Sequence, residues 1–427
     1  MTDSRLSDIA DRIAGYDPGS LEVGRAQEII RAYVKPIAGV EAASLTASLG
    51  RVLADDIISP IDVPAHDNSA MDGYAFNGTA LGTQALELKI AGSAFAGHPY
   101  SGTVAAGECV RIMTGAVMPA GCDTVVPQEL TQLPAEGVVS IAPGLLKSGD
   151  NRRRRGEDLA AGSPALRKGK ILRPADLGLL ASLGIGEVQV QRRLRVAFFS
   201  TGDELRSIGE RLEDGCIYDS NRYTVYGMLT RLGCDVLDMG VVRDDPVSLE
   251  NALRIACENA DAIVTSGGVS AGDADYTTDM MARLGDVIFW KLAMRPGRPM
   301  AFGQVASGGK SAYLFGLPGN PVAVMVSFYF FAREALLQMM GAHYEPLPQL
   351  RVTSQSVIRK KPGRTEYQRG IFSLDGEGKP QVRVTGSQGS GILRSMSEAN
   401  CMIVLGHDQG NVNPGDLVDI VLFDGLC

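Results

Sequence analysis

Arg195-Val-Ala-Phe-Phe-Ser200 is a short apolar run that breaks directly into Thr201-Gly-Asp-Glu204. A run of that kind, bounded by turn residues, predicts a buried strand. Helical spacing follows over about Arg222–Leu232, then a strand at Asp235–Val242 and a helix at Pro246–Asn259. A strand at Ala262–Thr265 and a helix over Thr277–Leu284 continue the series. Val287–Ala293, Met300–Val305 and Ser311–Gly316 read as further strands, and Pro321–Gly341 as a long helix. Strand and helix in strict alternation predict a doubly wound, mainly parallel α/β domain.

The flanks have a different texture. From about residue 45 to 190, short apolar runs are punctuated by Gly, Pro, Asp and Asn, which predicts a β-rich module with strands at Cys109–Met113, Thr124–Pro127 and Val138–Ile141. Residues 5–35 carry apolar side chains at helical spacing and predict an N-terminal helical segment ending before Pro36. Beyond residue 341 the pattern is one of short alternating strands with no helix, so a small β-rich domain closes the chain.

Composition bounds the function. At 427 residues, a prior of one domain per ~150 residues gives about three domains. Apolar residues are 45 % and charged residues 21 %, enough to bury cores and too apolar for disorder. The 41 basic and 49 acidic side chains leave −8, which argues against non-specific nucleic-acid binding. Ser311–Ala332 carries no charge and has the length of a membrane span, but Leu317-Pro-Gly-Asn-Pro321 would break such a helix. A strand, a tight turn and a buried helix are expected there. The N-terminus has neither the basic start nor the apolar run of a signal peptide. Seven cysteines without a Cys-x-x-Cys pair, and only four histidines, argue against structural zinc and suit a reducing cytoplasm.

In an open parallel sheet, ligands bind beyond the carboxyl ends of the strands. Three strand ends share that rim here: Ser200-Thr-Gly-Asp203-Glu204, Asp244-Asp245-Pro246 and Thr265-Ser-Gly-Gly-Val-Ser270-Ala-Gly-Asp273-Ala-Asp275. Ser-Gly-Gly-Val-Ser offers free N–H groups and hydroxyls without bulk, which suits a phosphate. Asp245-Pro246 and Asn320-Pro321 place a capping residue before a proline at the first helical position. The rim carboxylates are oxygen ligands of the kind Mg²⁺ takes while bridging to phosphate. Each feature alone is more often an ordinary turn or helix start; three on one rim favour a phosphorylated ligand with Mg²⁺.

A second cluster is basic. Lys291 lies on an apolar strand, and Arg295-Pro-Gly-Arg298-Pro follows. Two guanidinium groups on a stiff turn suit an oxyanion, although a solvated loop has the same composition. The run Arg152–Arg155 reads as a solvated or salt-bridged face. Asp62-Val-Pro-Ala-His-Asp-Asn-Ser-Ala-Met-Asp72-Gly-Tyr74 is a turn-rich loop dense in hydrogen-bonding groups. Gly303 to Gly309-Lys310-Ser311 looks like a P-loop, but five residues separate the glycines where four are needed. Gly184-Ile-Gly186 lacks the third glycine of a dinucleotide fingerprint.

These residues, taken in order, resemble the molybdopterin molybdenumtransferase family, which includes bacterial MoeA and the E domain of gephyrin. The matching segments are Asp67-Asn-Ser-Ala-Met-Asp-Gly-Tyr74, Arg111-Ile-Met-Thr-Gly115, Arg153-Arg-Arg-Gly-Glu-Asp158, Ser200-Thr-Gly-Asp-Glu-Leu205, Tyr218-Asp-Ser-Asn221, Thr265 to Tyr276, Leu317-Pro-Gly-Asn-Pro321 and Gly386-Ser-Gln-Gly-Ser390. They span about residues 20 to 405. The resemblance implies four domains: a discontinuous domain I (1–63 and 151–190), an inserted β-rich domain II (64–150), the α/β molybdopterin-binding domain III (191–341) and a β-rich domain IV (342–427). It also implies a homodimer, with the site between domain III of one subunit and domain II of the other.

The implied reaction takes adenylylated molybdopterin and molybdate, releases AMP with Mg²⁺ assisting, and leaves molybdenum cofactor. By resemblance, Asp244 and Asp275 carry the metal, Asp72, Thr114, Asp158 and Glu204 match other positions the family uses, and Lys291 lies near the molybdate pocket. Ser266, Gly267, Gly268, Ser270, Pro318, Gly319 and Asn320 hold the nucleotide and pyrophosphate. Molybdate falls to Arg295, Arg298, Arg369 and Ser390, with arginines standing where the common family pattern has lysines at 295 and 298. The rival readings are the molybdopterin adenylyltransferase of the same pathway, itself a candidate delivery partner, and a cofactor-binding or scaffold protein. No nucleic-acid or membrane partner is expected, and the expected compartment is the cytoplasm.

Overall fold

The computed structural model describes residues 5–268, 280 and 283–423. Its centre is a six-stranded sheet built from β1 (Arg195–Thr201), β2 (Asp235–Val242), β3 (Ala262–Ser266), β4 (Gly285–Lys291), β5 (Pro299–Ser307) and β6 (Lys310–Leu317). Helices α1 (Ser220–Arg231) and α2 (Pro246–Asn259) connect the first three strands, and α3 (Pro321–Met339) follows β6. The expected helix over Thr277–Leu284 lies largely outside the described residues.

The strand order is β2-β1-β3-β6-β5-β4. The four strands β2, β1, β3 and β6 are parallel, whereas β5 and β4 run antiparallel, so the sheet is mixed. The reason is connection length: β5 and β6 are joined by Gly308-Gly309 alone, both at positive φ (56° and 75°). A two-residue turn of that kind makes a hairpin and cannot hold a crossover helix. The P-loop look-alike from Gly303 to Ser311 is this hairpin, with Gly303 inside β5 and Gly309 in the turn, and opens no helix.

Both faces of the parallel strands are covered, as their apolar runs require. Ala197, Phe199 and Ile263 face α2, with Leu253 and Ala256 in the same core cluster. Val196, Phe198 and Val264 alternate to the opposite face and join Leu229 of α1 and Val324 and Leu336 of α3. That cluster also holds Leu6, Ala26 and Ile29, so the N-terminal helices pack onto the α/β sheet. The expected N-terminal helical segment forms two helices, Leu6–Asp11 and Val23–Tyr33. Gly15, Pro18 and Gly19 lie between them, and residues of those types interrupt a helix.

Upstream of the sheet, Val40–Ser44 pairs with Glu187–Gln191, and Ile57–Ile58 with Pro164–Leu166. The segment between these pairings forms its own six-stranded sheet, in the order Thr124–Pro127, Gly73–Phe76, Glu108–Ile112, Leu86–Ala94, Val138–Ile141, Thr131–Ala135. Downstream, Thr365–Leu374 pairs with both Pro380–Val384 and Cys401–Leu405, which closes the last strands into a barrel. A short helix, Leu393–Glu398, lies in this domain where none is expected. Met294–Arg295 pairs with Thr365–Glu366 and ties the basic turn of the α/β domain to the barrel.

Helix α3 is apolar enough and long enough to cross a membrane, but 78 % of that window is buried inside the protein. It is a core helix with a π turn at Phe328–Ala332.

Candidate active site at the carboxyl rim of the sheet

Ser200 and Thr201 end β1, Ser266 ends β3, and all three are buried. Gly267 and Gly268 then turn the chain back across β1, with φ of 91° and 66°. A Cβ on Gly267 would sit 2.4 Å from the Thr201 carbonyl oxygen, and one on Gly268 3.0 Å from Thr201 Oγ1. Glycine is therefore required twice, by left-handed backbone and by close approach. The Gly267 N–H donates to the Leu317 carbonyl at 3.1 Å, which brings this turn against Pro318-Gly319-Asn320. Ser270 and Asp275 lie outside the described residues.

Asn221 joins the two turns. Its Nδ2 donates to Ser266 Oγ and to the Gly319 carbonyl, each at 2.7 Å. Asp219, which caps α1 through Arg222 N at 3.1 Å, is buried beside it. Ser200 Oγ, Thr201 Oγ1, Asp219 Oδ2 and Asn221 Oδ1 are all buried with no hydrogen-bond partner among the described residues. Unmatched buried polar atoms are costly, and their concentration at one rim marks a place prepared for polar ligand atoms. Asn221 and Asp219 are missed as site residues by sequence reasoning. Tyr218-Asp-Ser-Asn221 was their only signal, and it reads equally well as a helix start.

Beyond these turns is a cavity of about 290 Å³ bounded by Arg295, Arg298, Pro318, Asn320, Gln388 and Ser390. Arg295 and Arg298 are both exposed at its edge. Asn320 precedes Pro321 at the start of α3, but its side chain makes no capping hydrogen bond. Asp245 does cap its helix, accepting from Val247 N at 3.1 Å and Ser248 N at 2.9 Å. The first turn of α3 is tied instead to the barrel domain, Val322 N donating to the Ser390 carbonyl at 3.0 Å. Gln388 is a second lining residue that sequence reasoning misses.

Arg369 is placed differently from Arg295 and Arg298. It is fully buried and lines no part of that cavity. Its Nε donates to Ser395 Oγ at 2.9 Å, and its terminal nitrogens donate to the carbonyls of Ser387, Gln388 and Gly389. Burial, reinforced by the positive charge of Arg295, lowers its pKa to about 10. The guanidinium holds the 387–389 loop from beneath.

The carboxylates fall into two groups. Asp203, Glu204 and Asp244 sit on the rim, with Asp244 N 3.5 Å from Asp203 Oδ1. Asp72 and Thr114 lie in the separate sheet domain, where Thr114 N and Oγ1 both donate to Asp72 Oδ1 at 2.7 Å. Those two bonds, the backbone one first, hold the Asp72 carboxyl below its ordinary pKa. Asp158 is exposed on a loop whose N–H donates to the Val63 carbonyl. Among the described residues, Asp72, Thr114 and Asp158 form no hydrogen bond or ion pair with rim residues. Lys291 closes β4 with an exposed side chain, outside the cavity wall. In the Arg152–Arg155 run, Arg155 pairs with Asp62 at 2.6 Å and Arg152 with Asp67 at 3.6 Å, so those two residues form a salt-bridged face.

Among the described residues, no group of three or more His, Cys, Asp or Glu could hold a metal ion unaided. Mg²⁺ does not need one: it keeps several waters and takes one or two carboxylates plus substrate phosphate. The half-exposed Asp244, whose N–H lies 3.5 Å from the Asp203 carboxylate just past the end of β2, fits that mode of binding.

Three family models match the chain end to end: the MoeA N-terminal region (domain I and II) over residues 21–184, a probable molybdopterin binding domain over 197–338, and the MoeA C-terminal region (domain IV) over 351–423. A molybdopterin molybdenumtransferase from Haemophilus influenzae is 41 % identical over 384 residues, covering 90 % of this chain and 94 % of the relative. One from Nostoc is 35 % identical over 372 residues, covering 86 % of this chain and 84 % of the relative. The crystal structure of a molybdopterin biosynthesis MoeA protein from Pyrococcus horikoshii superposes with a TM-score of 0.81 at 27 % identity, covering 95 % of this chain and 100 % of that one.

Proposed function

This chain belongs to the MoeA family of molybdopterin molybdenumtransferases and serves molybdenum cofactor biosynthesis by molybdenum insertion; from that premise we propose that its substrate is adenylylated molybdopterin, cleaved with release of AMP as molybdate is used. The observation that carries this reading is the adjacency of two unlike anion sites. The Ser266-Gly267-Gly268 turn abuts Gly319, whose Cβ position is 3.7 Å from Gly267 Cα. Gly319 also lines the 290 Å³ cavity edged by Arg295 and Arg298. A phosphate on the turn and a tetrahedral oxyanion in the cavity would thus be neighbours.

Each part has a task. The Gly267 N–H is spent on the Leu317 carbonyl, so the Gly268 N–H, with Ser266 and Ser270, holds the pyrophosphate. Pro318, Gly319 and Asn320 position the substrate at the start of α3. Arg295 and Arg298 supply charge-assisted donors to molybdate, a tetrahedral dianion, while Ser390 adds a neutral donor. Arg369 acts through the 387–389 loop that leads into Ser390, with the Gln388 amide bound back to the Arg369 backbone. Asp244, with Asp275, would hold Mg²⁺, which when bound neutralises charge developing on the leaving phosphate. Glu204 lies beside Gly202 at the end of β1, within the same rim.

The chain works as a homodimer in the cytoplasm. Asp72 and Thr114 belong to the separate sheet domain and Asp158 to the returning segment of domain I; among the described residues none of the three forms a hydrogen bond or ion pair with a rim residue of its own chain, as expected of groups that complete the partner subunit's site. The molybdopterin adenylyltransferase is the enzyme whose product this site would accept.

AMP release from adenylylated molybdopterin, measured with Mg²⁺ in the presence and absence of molybdate, tests the reading. Release that depends on molybdate supports it. Binding without AMP release makes the protein a carrier or scaffold, and synthesis of adenylylated molybdopterin from ATP makes it the adenylyltransferase.

A further inference from the structure

A large cavity lies away from the rim. It is a cleft of about 1010 Å³ between the segments around Val52 and Lys170 and the ends of α1 and α3. Lys168, Lys170, Arg173, Arg193 and Arg231 line it, with Arg167 and Arg333 alongside. Glu345 is the one acidic residue in its wall. Asp56 and Asp176 pair with Arg167, Lys170 and Arg173 from just outside, and Glu334 lies close to Arg333 and Tyr344. Seven cations therefore meet four carboxylates, a local positive excess on a chain whose net charge is −8. Among the described residues, the Lys168, Arg193 and Arg231 side chains form no ion pair, although the Lys168 N–H bonds the Asp56 carboxylate at 2.8 Å; Arg193 donates to the Gly233 carbonyl at 3.0 Å.

The floor is apolar. Val52, Ile171, Leu337 and Met340 line it, and His343 and Tyr344 contribute flat rings. Cations around an apolar, ring-bearing floor match a ligand with a planar heterocycle and several negative charges. The volume is that of a small-molecule site, about 300–1,000 Å³. A long nucleic acid would have to pass over an otherwise acidic surface.

We propose that this cleft is a second ligand site, distinct from the rim, for a nucleotide carrying two or more phosphates. The phosphates lie against Lys168, Arg193 and Arg231, and the base lies over the floor beside Tyr344. Nothing in this assignment depends on the reaction at the rim.

The test is calorimetric titration of the full-length protein with ATP, with inorganic triphosphate and adenosine as controls, comparing wild type with a Lys168→Glu/Arg231→Glu variant. Both side chains are exposed and unpaired, so the variant should fold; unchanged AMP release from adenylylated molybdopterin, or an unchanged circular dichroism spectrum, checks that. The expected result is an ATP site weakened at least about tenfold in the variant, stronger for ATP than for either control, and weaker at high salt. An ATP isotherm identical in the two proteins, or none in either at about 1 mM ATP, overturns the proposal. Inorganic triphosphate binding as tightly as ATP overturns the nucleotide assignment, because the floor would then contribute nothing.

Discussion

Asn221 Nδ2 and Ser266 Oγ are 2.7 Å apart inside a buried rim, and the same nitrogen reaches the Gly319 carbonyl. One amide therefore fixes the distance between the glycine turn and the start of α3. Asn221→Ala removes both bonds and should cost about 2 kcal/mol of stability. It should raise the KM for adenylylated molybdopterin at least about tenfold, beyond what the loss of folded protein explains. An unchanged KM in the folded fraction would show that the two turns hold their spacing without it.

Arg298 lies on the cavity edge with an exposed side chain. Arg298→Ala should raise the molybdate concentration needed for half-maximal AMP release by about tenfold or more, with little change in affinity for the adenylylated substrate. Equal losses for both ligands would mean that the cavity is not the molybdate site. Arg298→Lys keeps a charge but loses the planar fork, so only part of the loss should appear.

Arg369 is a different kind of residue. Replacing it by Met strands the carbonyls of Ser387, Gln388 and Gly389 and Ser395 Oγ without their donor, at a cost of about 3 kcal/mol. Chemical denaturation should show that loss together with a weaker response to molybdate, since Gln388 and Ser390 belong to the loosened loop. A molybdate defect at wild-type stability would instead place Arg369 in direct contact with the anion.

The Asp72 carboxyl is held below its ordinary pKa by two donors from Thr114. Because the folded value is the lower one, this contact favours the folded state above the ordinary carboxylate pKa, and the advantage is lost as pH falls through the folded value. Thr114→Val removes the hydroxyl donor and keeps the backbone one. Carbon-detected NMR titration of Asp72 should show its pKa move part of the way back up, and a pKa that stays put would leave the backbone bond as the sole cause.

Burial raises the thiols of Cys109, Cys122 and Cys401 to about 12. At pH 8 these three should resist a thiolate-selective reagent until the protein is unfolded. Rapid labelling of Cys109 in the native protein would show that its sheet opens readily.

Much of this was legible in the chain. Buried parallel strands are continuous apolar runs, so Arg195–Thr201 and Ala262–Ser266 announce themselves, as does α2 through its Asp245-Pro246 start. The antiparallel edge was less visible, because Gly308-Gly309 had to be read as a hairpin turn. The N-terminal break depended on Gly15, Pro18 and Gly19, which a wide apolar window averages away. The site was half legible: Gly267, Gly268, Arg295 and Arg298 stand out by type, but burial does not. Nothing in the residue name distinguishes Arg369, spent on loop carbonyls, from Arg298 at the cavity edge. Asn221 is likewise an ordinary helix-start residue until its two partners converge from distant strands.

The most direct measurement follows molybdenum itself. Adenylylated molybdopterin, isotopically labelled molybdate and Mg²⁺ are incubated with the protein, and the product is offered to an apo-molybdoenzyme. Labelled molybdenum transferred to the apoenzyme, in proportion to AMP released and restored activity, is the predicted result. AMP release with no labelled molybdenum reaching the apoenzyme would contradict insertion at this site.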